Sequence, residues 1–140
     1  MSLTRRNALA LGSAAIAVTL LPLRAFAASE KTMEAIKAFA GDAVVTDGTF
    51  DLTTPEIAEN GNTVPVQFSA PGAKRVMLLA DENPTPGVGT FTFGELADPS
   101  GSIRMRLAGT QNVIAVAEMA DGTFVQVAKA VKVTIGGCGG

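Results

Sequence analysis

The sequence predicts an all-β protein, an antiparallel immunoglobulin-like β-sandwich of about seven strands with a short N-terminal helix and a flexible C-terminal tail. Three observations lead to this prediction. Apolar residues alternate with polar residues in several short segments, as in strands that bury one face. Turn-forming residues separate these segments. The pair Asp121-Gly122 stands between the last two segments, and Asp-Gly is a strong hairpin signal.

The first element of the fold is the predicted helix. Ser29 can cap its start, the helix runs through about Ala40, and Gly41 closes it. One face of the helix is apolar, with Met33, Ile36 and Phe39.

The strands follow from Val44 onward. Residues 64–69 alternate between apolar and polar positions, and Pro65 within them predicts an edge strand because proline cannot donate to a ladder. Residues 75–80 are nearly all apolar, which is typical of a central strand. Further alternating segments lie at residues 91–93 and 102–107.

The final hairpin pairs residues 112–119 with residues 123–135. Lys129 interrupts the apolar face of its second arm, so we expect either a bulge at that position or a lysine that points at a partner.

The first 27 residues are predicted to be a signal peptide rather than part of the fold. Arg5 and Arg6 precede an uncharged apolar run over residues 8–23, and Ala25-Phe26-Ala27 is a small-x-small cleavage signal. The adjacent arginines resemble the twin-arginine export signal. We therefore expect export to the periplasm by that route, with a β-sandwich domain at residues 28–135 and a glycine-rich arm at residues 136–140.

Composition excludes several classes of function. The chain contains no His, Tyr or Trp, so the usual Ser-His and Cys-His nucleophilic pairs and most transition-metal sites are excluded. Without the three arginines before residue 28, eight basic residues stand against thirteen acidic ones, a net charge of −5. This acidic balance argues against nucleic acid and anionic membranes as partners. We expect no cofactor and no bound metal.

The tail Gly136-Gly137-Cys138-Gly139-Gly140 contains the one cysteine of the chain. A lone cysteine is commonly a small buried hydrophobe, but glycines at a free end offer nothing with which to bury the sulfur. Glycines without β-carbons form a narrow arm that can enter channels closed to ordinary side chains. The tail therefore predicts a thiol on Cys138 that is presented to other enzymes, in a protein that is not itself an enzyme.

The terminal Gly-Gly-Cys-Gly-Gly resembles the signature of the SoxY family, the sulfur-carrier subunits of the thiosulfate-oxidising Sox system. Ordered blocks through the chain continue the resemblance; they are residues 55–66, Asn83-Pro84, Phe91 and Phe93, residues 104–107, residues 115–119 and Asp121-Gly122.

The resemblance implies that sulfur substrates are attached covalently to Cys138. It also implies a heterodimer with a SoxZ-like subunit and three partner enzymes. These are a haem cytochrome that joins thiosulfate to the thiol, a metal-dependent hydrolase that releases sulfate, and a molybdenum–haem dehydrogenase that oxidises the remaining sulfane.

Two alternatives stay open on the sequence alone. Gly139-Gly140 could form a ubiquitin-like diglycine end that carries sulfur as a thiocarboxylate, although such carriers need ATP and no nearby cysteine. The domain could also be a structural or adhesive sandwich in which Cys138 makes an intermolecular disulfide.

Overall fold

A computed structural model of the protein describes residues 28–136. The predicted signal peptide at residues 1–27 and the tail residues Gly137, Cys138, Gly139 and Gly140 lie outside the described residues. Within residues 28–136 there is one helix, of eleven residues, and it is not long and apolar enough to cross a membrane.

Residues 28–136 form one helix and nine strands in two sheets, which confirms the predicted all-β sandwich. The helix α1 is Glu30–Ala40. The strands are β1 Val45–Asp47, β2 Asp51–Thr53, β3 Ile57–Ala58, β4 Val64–Ser69, β5 Ala73–Ala80, β6 Gly87–Thr92, β7 Ser100–Met105, β8 Gln111–Met119 and β9 Phe124–Val133. The larger sheet has the order β1-β9-β8-β5-β6 with β3 also paired to β9, and the smaller has the order β2-β4-β7.

The main core lies between the two sheets, where alternate residues of each strand point inward. Its fully buried side chains include Val64 and Val66 from the smaller sheet and Val76, Leu78 and Val113 from the larger. Because a strand alternates its side chains between faces, the other positions of β5 and β8 face outward. The larger sheet is therefore apolar on both faces and needs a second cover.

Helix α1 supplies that cover. Phe39 of the helix packs edge-on against Phe124 of β9, with 5.7 Å between the ring centroids, over an outer cluster that contains Leu79 and Ile114. Ser29 caps the helix as predicted, since its Oγ accepts a hydrogen bond from the Thr32 N–H. The helix is thus a third layer on the sandwich, which burial of the apolar outer face requires.

The β8–β9 hairpin forms as predicted around residues 120–123. Gly122 has a φ of 85°, in the left-handed region that favours glycine, and its N–H donates to the Met119 carbonyl. The Thr123 N–H also donates to an Asp121 side-chain oxygen at 2.9 Å. Local side-chain and backbone bonds therefore close the turn itself, and the Ala120 N–H, which donates to the Gly72 carbonyl at 2.8 Å, ties it to the residue before β5.

The edge-strand prediction at Pro65 is wrong, and of the two alternatives expected at Lys129 the bulge is absent. β4 is the central strand of the smaller sheet, so Pro65 is not on an edge strand. β2 pairs only with residues 67–69, so at Pro65 the strand has a single neighbour, β7, and the missing N–H is tolerated.

β8 and β9 keep one register through Lys129, which lies opposite Val113 without a bulge. Lys129 is exposed, so a lysine that points at a partner stays a prediction.

Candidate functional site

Of the predicted site residues, the structure describes one, Gly136. Cys138, Gly137, Gly139 and Gly140 lie outside the described residues, so the site can be followed up to the point where the chain leaves the domain. We call residues 134–136, which continue β9 toward Cys138, the arm root.

Backbone hydrogen bonds hold the arm root on one side. The Thr134 N–H donates to the Ala58 carbonyl at 3.0 Å, and the Gly61 N–H donates to the Ile135 carbonyl at 2.8 Å. These bonds extend the parallel pairing of β3 with β9 by two residues beyond the end of the strand. The arm root is therefore part of the ordered sheet, although 68% of the Ile135 side chain is exposed.

Gly136 lies against the loop between β7 and β8, residues 106–110, which we call the support loop. A β-carbon at Gly136 would lie 2.4 Å from the Ala108 carbonyl oxygen, a distance that forces backbone to shift. Glycine at this position thus has a steric reason besides the freedom that the sequence suggests: no other residue allows this approach of two backbones.

The side chain of Asn83 holds the support loop from within. Its Nδ2 donates to the Arg106 carbonyl at 2.8 Å, and its Oδ1 accepts from the Ala108 N–H at 2.9 Å. One amide therefore satisfies a carbonyl and an N–H two residues apart, as a neighbouring strand would.

Gln111, the first residue of β8, holds Asn83 in turn. Its Nε2 donates to Asn83 Oδ1 at 2.9 Å and to the Gly109 carbonyl at 3.1 Å, while its Oε1 accepts from the Glu82 N–H at 2.9 Å. Gln111 is 5% exposed, and no buried side-chain nitrogen or oxygen in residues 28–136 lacks a partner. Gln111 is buried and Asn83 is half-buried, and their mutual bond restrains both side chains, because its loss would leave a polar group of the buried Gln111 unpaired.

The support loop also bonds two residues next to the arm root. The Leu107 N–H donates to the Gly61 carbonyl at 2.7 Å, and Gly61 is the residue that also bonds Ile135. Thr110 Oγ1 accepts from the Val133 N–H at 3.0 Å, just before the arm root begins. The loop thus connects the Asn83–Gln111 pair to the last described residues of the chain.

Among residues 28–136, no three His, Cys, Asp or Glu side chains are grouped so that they could hold a metal ion. The assignment of the chemistry to Cys138, which lies outside the described residues, stays a prediction. Sequence reasoning gave Asn83 and Gln111 no role in the site, because a local pattern gives no sign that the two side chains meet across 28 positions.

Comparison with known proteins gives a family and a fold. Residues 36–138 match the family described as sulfur oxidation protein SoxY. The sulfur carrier protein SoxY from Chlorobium limicola f thiosulfatophilum is 35% identical and superposes with a TM-score of 0.68, over 75% of this chain and 97% of that one. No protein of curated function matches the sequence.

Other solved structures share only the fold. A superoxide reductase (neelaredoxin) from Ignicoccus hospitalis is 17% identical, with a TM-score of 0.54 over 63% of this chain and 82% of that one. Identity at this level is evidence for a common architecture and says nothing about chemistry.

Proposed function

The chain belongs to the SoxY family, and we propose that it is a sulfur carrier that holds thiosulfate-derived intermediates on the thiol of Cys138. One observation carries the proposal: the family match runs to residue 138, so it includes the cysteine and not only the sandwich. The arm root supports it, since an ordered strand that ends at the surface delivers the following residues to partners.

The proposed substrate of the reaction at Cys138 is thiosulfate. The sulfane sulfur of thiosulfate bonds to the thiol sulfur, the thiol loses its proton, and two electrons pass to a haem cytochrome partner. The product is a cysteine S-thiosulfonate. Water then cleaves the bond between sulfane and sulfonate sulfurs in a hydrolase, which releases sulfate and a proton and leaves a persulfide on Cys138. A sulfane dehydrogenase would oxidise the persulfide.

The proposed setting is the periplasm, reached by the twin-arginine route, with a SoxZ-like subunit as heterodimeric partner. The twin-arginine route moves folded proteins, so a partner without its own signal would leave the cytoplasm bound to this chain. Deleting this chain should then retain the partner in the cytoplasm, and normal export of the partner would contradict this part of the proposal.

The experiment that tests the carrier role is intact-mass analysis of the protein from cells grown on thiosulfate. Adducts of sulfur, sulfonate or thiosulfonate mass are expected on the wild type and none on Cys138→Ser. Thermal unfolding of both proteins is the control, and equal midpoints are expected because Cys138 follows the described domain. Adducts that persist in the variant would overturn the proposal. A covalent dimer on non-reducing gels without adducts would favour the intermolecular disulfide instead.

A further inference from the structure

We propose that Asn83 and Gln111 are positioning residues for the carrier reaction: they fix the direction in which the chain leaves the domain toward Cys138. The proposal rests on the proposed function for its consequence in turnover, but its structural part stands on the contacts of the arm root alone.

The first step concerns the support loop, which lies between the ends of β7 and β8. Asn83 bonds the Arg106 carbonyl and the Ala108 N–H. Removing the Asn83 amide would remove both bonds, and with them the side chain that holds these two positions of the loop at a fixed separation.

The second step is the rigidity of Asn83. Its Oδ1 accepts from two donors, and one of them belongs to Gln111, which is itself fixed by Gly109 and Glu82. Gln111 stands at the start of a strand in the middle of the larger sheet. The pair therefore ties the support loop to the sheet framework.

The third step carries this order to the arm. Ala108 is bonded by Asn83 through its N–H, and its carbonyl oxygen is the atom that Gly136 closely approaches. The Leu107 N–H donates to the Gly61 carbonyl, and the Gly61 N–H donates in turn to the Ile135 carbonyl. A shift of the support loop would therefore displace both Ile135 and Gly136.

The effect on the carrier follows from the short distance between Gly136 and Cys138. Two residue steps span at most about 7 Å. Because so short a segment cannot compensate for a misdirected root, the direction at Gly136 determines which volume the thiol samples. A preorganised root lowers the ordering cost when a partner enzyme takes up the arm.

Three variants separate positioning from general stability. Asn83→Ala removes all three bonds of the amide, and Asn83→Asp keeps the acceptor for Ala108 but loses the donor to Arg106. Gln126→Ala is the matched control, since it removes an amide bonded to Asp47 at 3.3 Å near the start of β9, away from the arm root.

The structural readout is the distance between two nitroxide labels, one on Cys138 and one on Ser102→Cys, an exposed position on β7. Pulsed electron paramagnetic resonance should give a distribution that shifts or broadens in Asn83→Ala, less so in Asn83→Asp, and not in Gln126→Ala. Unchanged distributions in both Asn83 variants would overturn the proposal.

The functional readout is thiosulfate loading of each variant, purified together with the SoxZ-like subunit, by periplasmic extract from cells that lack this chain. For Asn83→Ala we expect kcat/KM for the carrier to fall about tenfold, mainly through KM, while the rate of iodoacetamide alkylation of Cys138 stays unchanged. An equal fall in a Val76→Ala variant, which creates a cavity in the core, would show that lost stability is the cause and overturn the proposal.

The two proposals fail in different ways. If wild-type protein takes up no sulfur but the label distances respond to Asn83, the carrier role is wrong and the structural part of the positioning inference holds. If wild-type protein is loaded and neither the distances nor KM respond to Asn83, the carrier role holds and the positioning inference is wrong.

Discussion

β9 begins and ends in two different kinds of structure. Its first residues follow a hairpin turn in which Asp121, Gly122 and Thr123 bond one another and Met119, all within five positions of the chain. Its last residues lead into the arm root, which is held by Gly61 and by the support loop, from segments more than twenty positions away. The turn before β9 is thus closed by local bonds, although β1 pairs with the first residues of β9 and the Ala120 N–H donates to the Gly72 carbonyl. The arm root, in contrast, is bonded by distant segments.

The two ends of β9 differ in what holds their backbone in place. The hairpin end only has to reverse the chain, and a glycine with positive φ does this at low cost. The backbone of the arm root, which follows the last described strand, has few local partners and takes its order from distant ones. The bonds from Asn83 and the contact of Gly136 with Ala108 supply that order.

The largest expected effect is loss of the apolar anchor at the arm end. Leu107 lies in the support loop with its side chain fully buried, so Leu107→Ala should lower the free energy of unfolding by about 2–5 kcal/mol. Urea unfolding followed by circular dichroism measures the change. Leu96→Ala is the matched control, because Leu96 is fully exposed and its loss should stay within about 0.5 kcal/mol. Equal losses would show that the support loop is not anchored by Leu107.

The next effect tests the close approach at Gly136. Gly136→Ala places a β-carbon on the Ala108 carbonyl and should cost about 1–3 kcal/mol or displace the arm root. Thiosulfate loading of Cys138 should slow, while thiol content stays the same. Gly109→Ala changes the same loop where a β-carbon meets no atom within 4 Å, and it should leave stability and loading near wild type. Loading at the wild-type rate in Gly136→Ala would contradict the described approach.

A smaller effect is expected at the hairpin end. Gly122→Ala forces a β-carbon into a φ of 85° and should cost about 1–2 kcal/mol. Sulfur loading per folded molecule should not change, because this turn lies at the other end of β9. Gly94→Ala, at a glycine with open surroundings and no positive φ, serves as the control in the same unfolding assay. A loading defect in Gly122→Ala would mean that the two ends are coupled.

The smallest effect is electrostatic. The Thr123 hydroxyl, followed by the Thr123 N–H, lowers the pKa of Asp121 below its ordinary 3.8. A carboxylate with a depressed pKa stabilises the fold above its ordinary pKa, and this stability is lost as pH falls through the folded-state pKa. Thr123→Val removes the hydroxyl, so it should destabilise the protein slightly at neutral pH, and the difference from wild type should shrink below pH 3.8. A difference that is constant from neutral pH to about pH 2 would contradict this origin.

The same contrast explains which elements the sequence could predict. The caps at Ser29 and Gly41 and the turn at Gly122 are confirmed, because each depends on a few adjacent residues. The strands β1 and β3 are only three and two residues long and pair in parallel with β9, so that Ile57 lies opposite Lys132. No local pattern specifies a partner at that separation, and such short strands have no periodicity to read.

Sequence reasoning addressed one of the two parts of the candidate site, the reactive cysteine, and not the residues that hold the arm root. The sequence indicates the reactive group because a cysteine among terminal glycines has few other uses. The assignment of the reaction to Cys138 stays a prediction. The residues that hold the arm root could not be predicted, because Asn83 and Gln111 are distant in sequence and meet only in the folded structure. Pro65 shows the reverse error: a sound local rule predicted an edge strand, and the short length of β2 made a central position acceptable.

The pairing of β9 has a mechanical consequence for the proposed carrier role, in which partner proteins take up the arm. β8 bonds β9 in antiparallel fashion on one side, and β3 bonds it in parallel fashion near the arm root. Sheet hydrogen bonds run across the strands, so a pull along the axis of β9 loads many of them at once in shear instead of opening them one by one. Withdrawing the arm from a tight channel would therefore strain the sheet as a unit and leave its strand order intact.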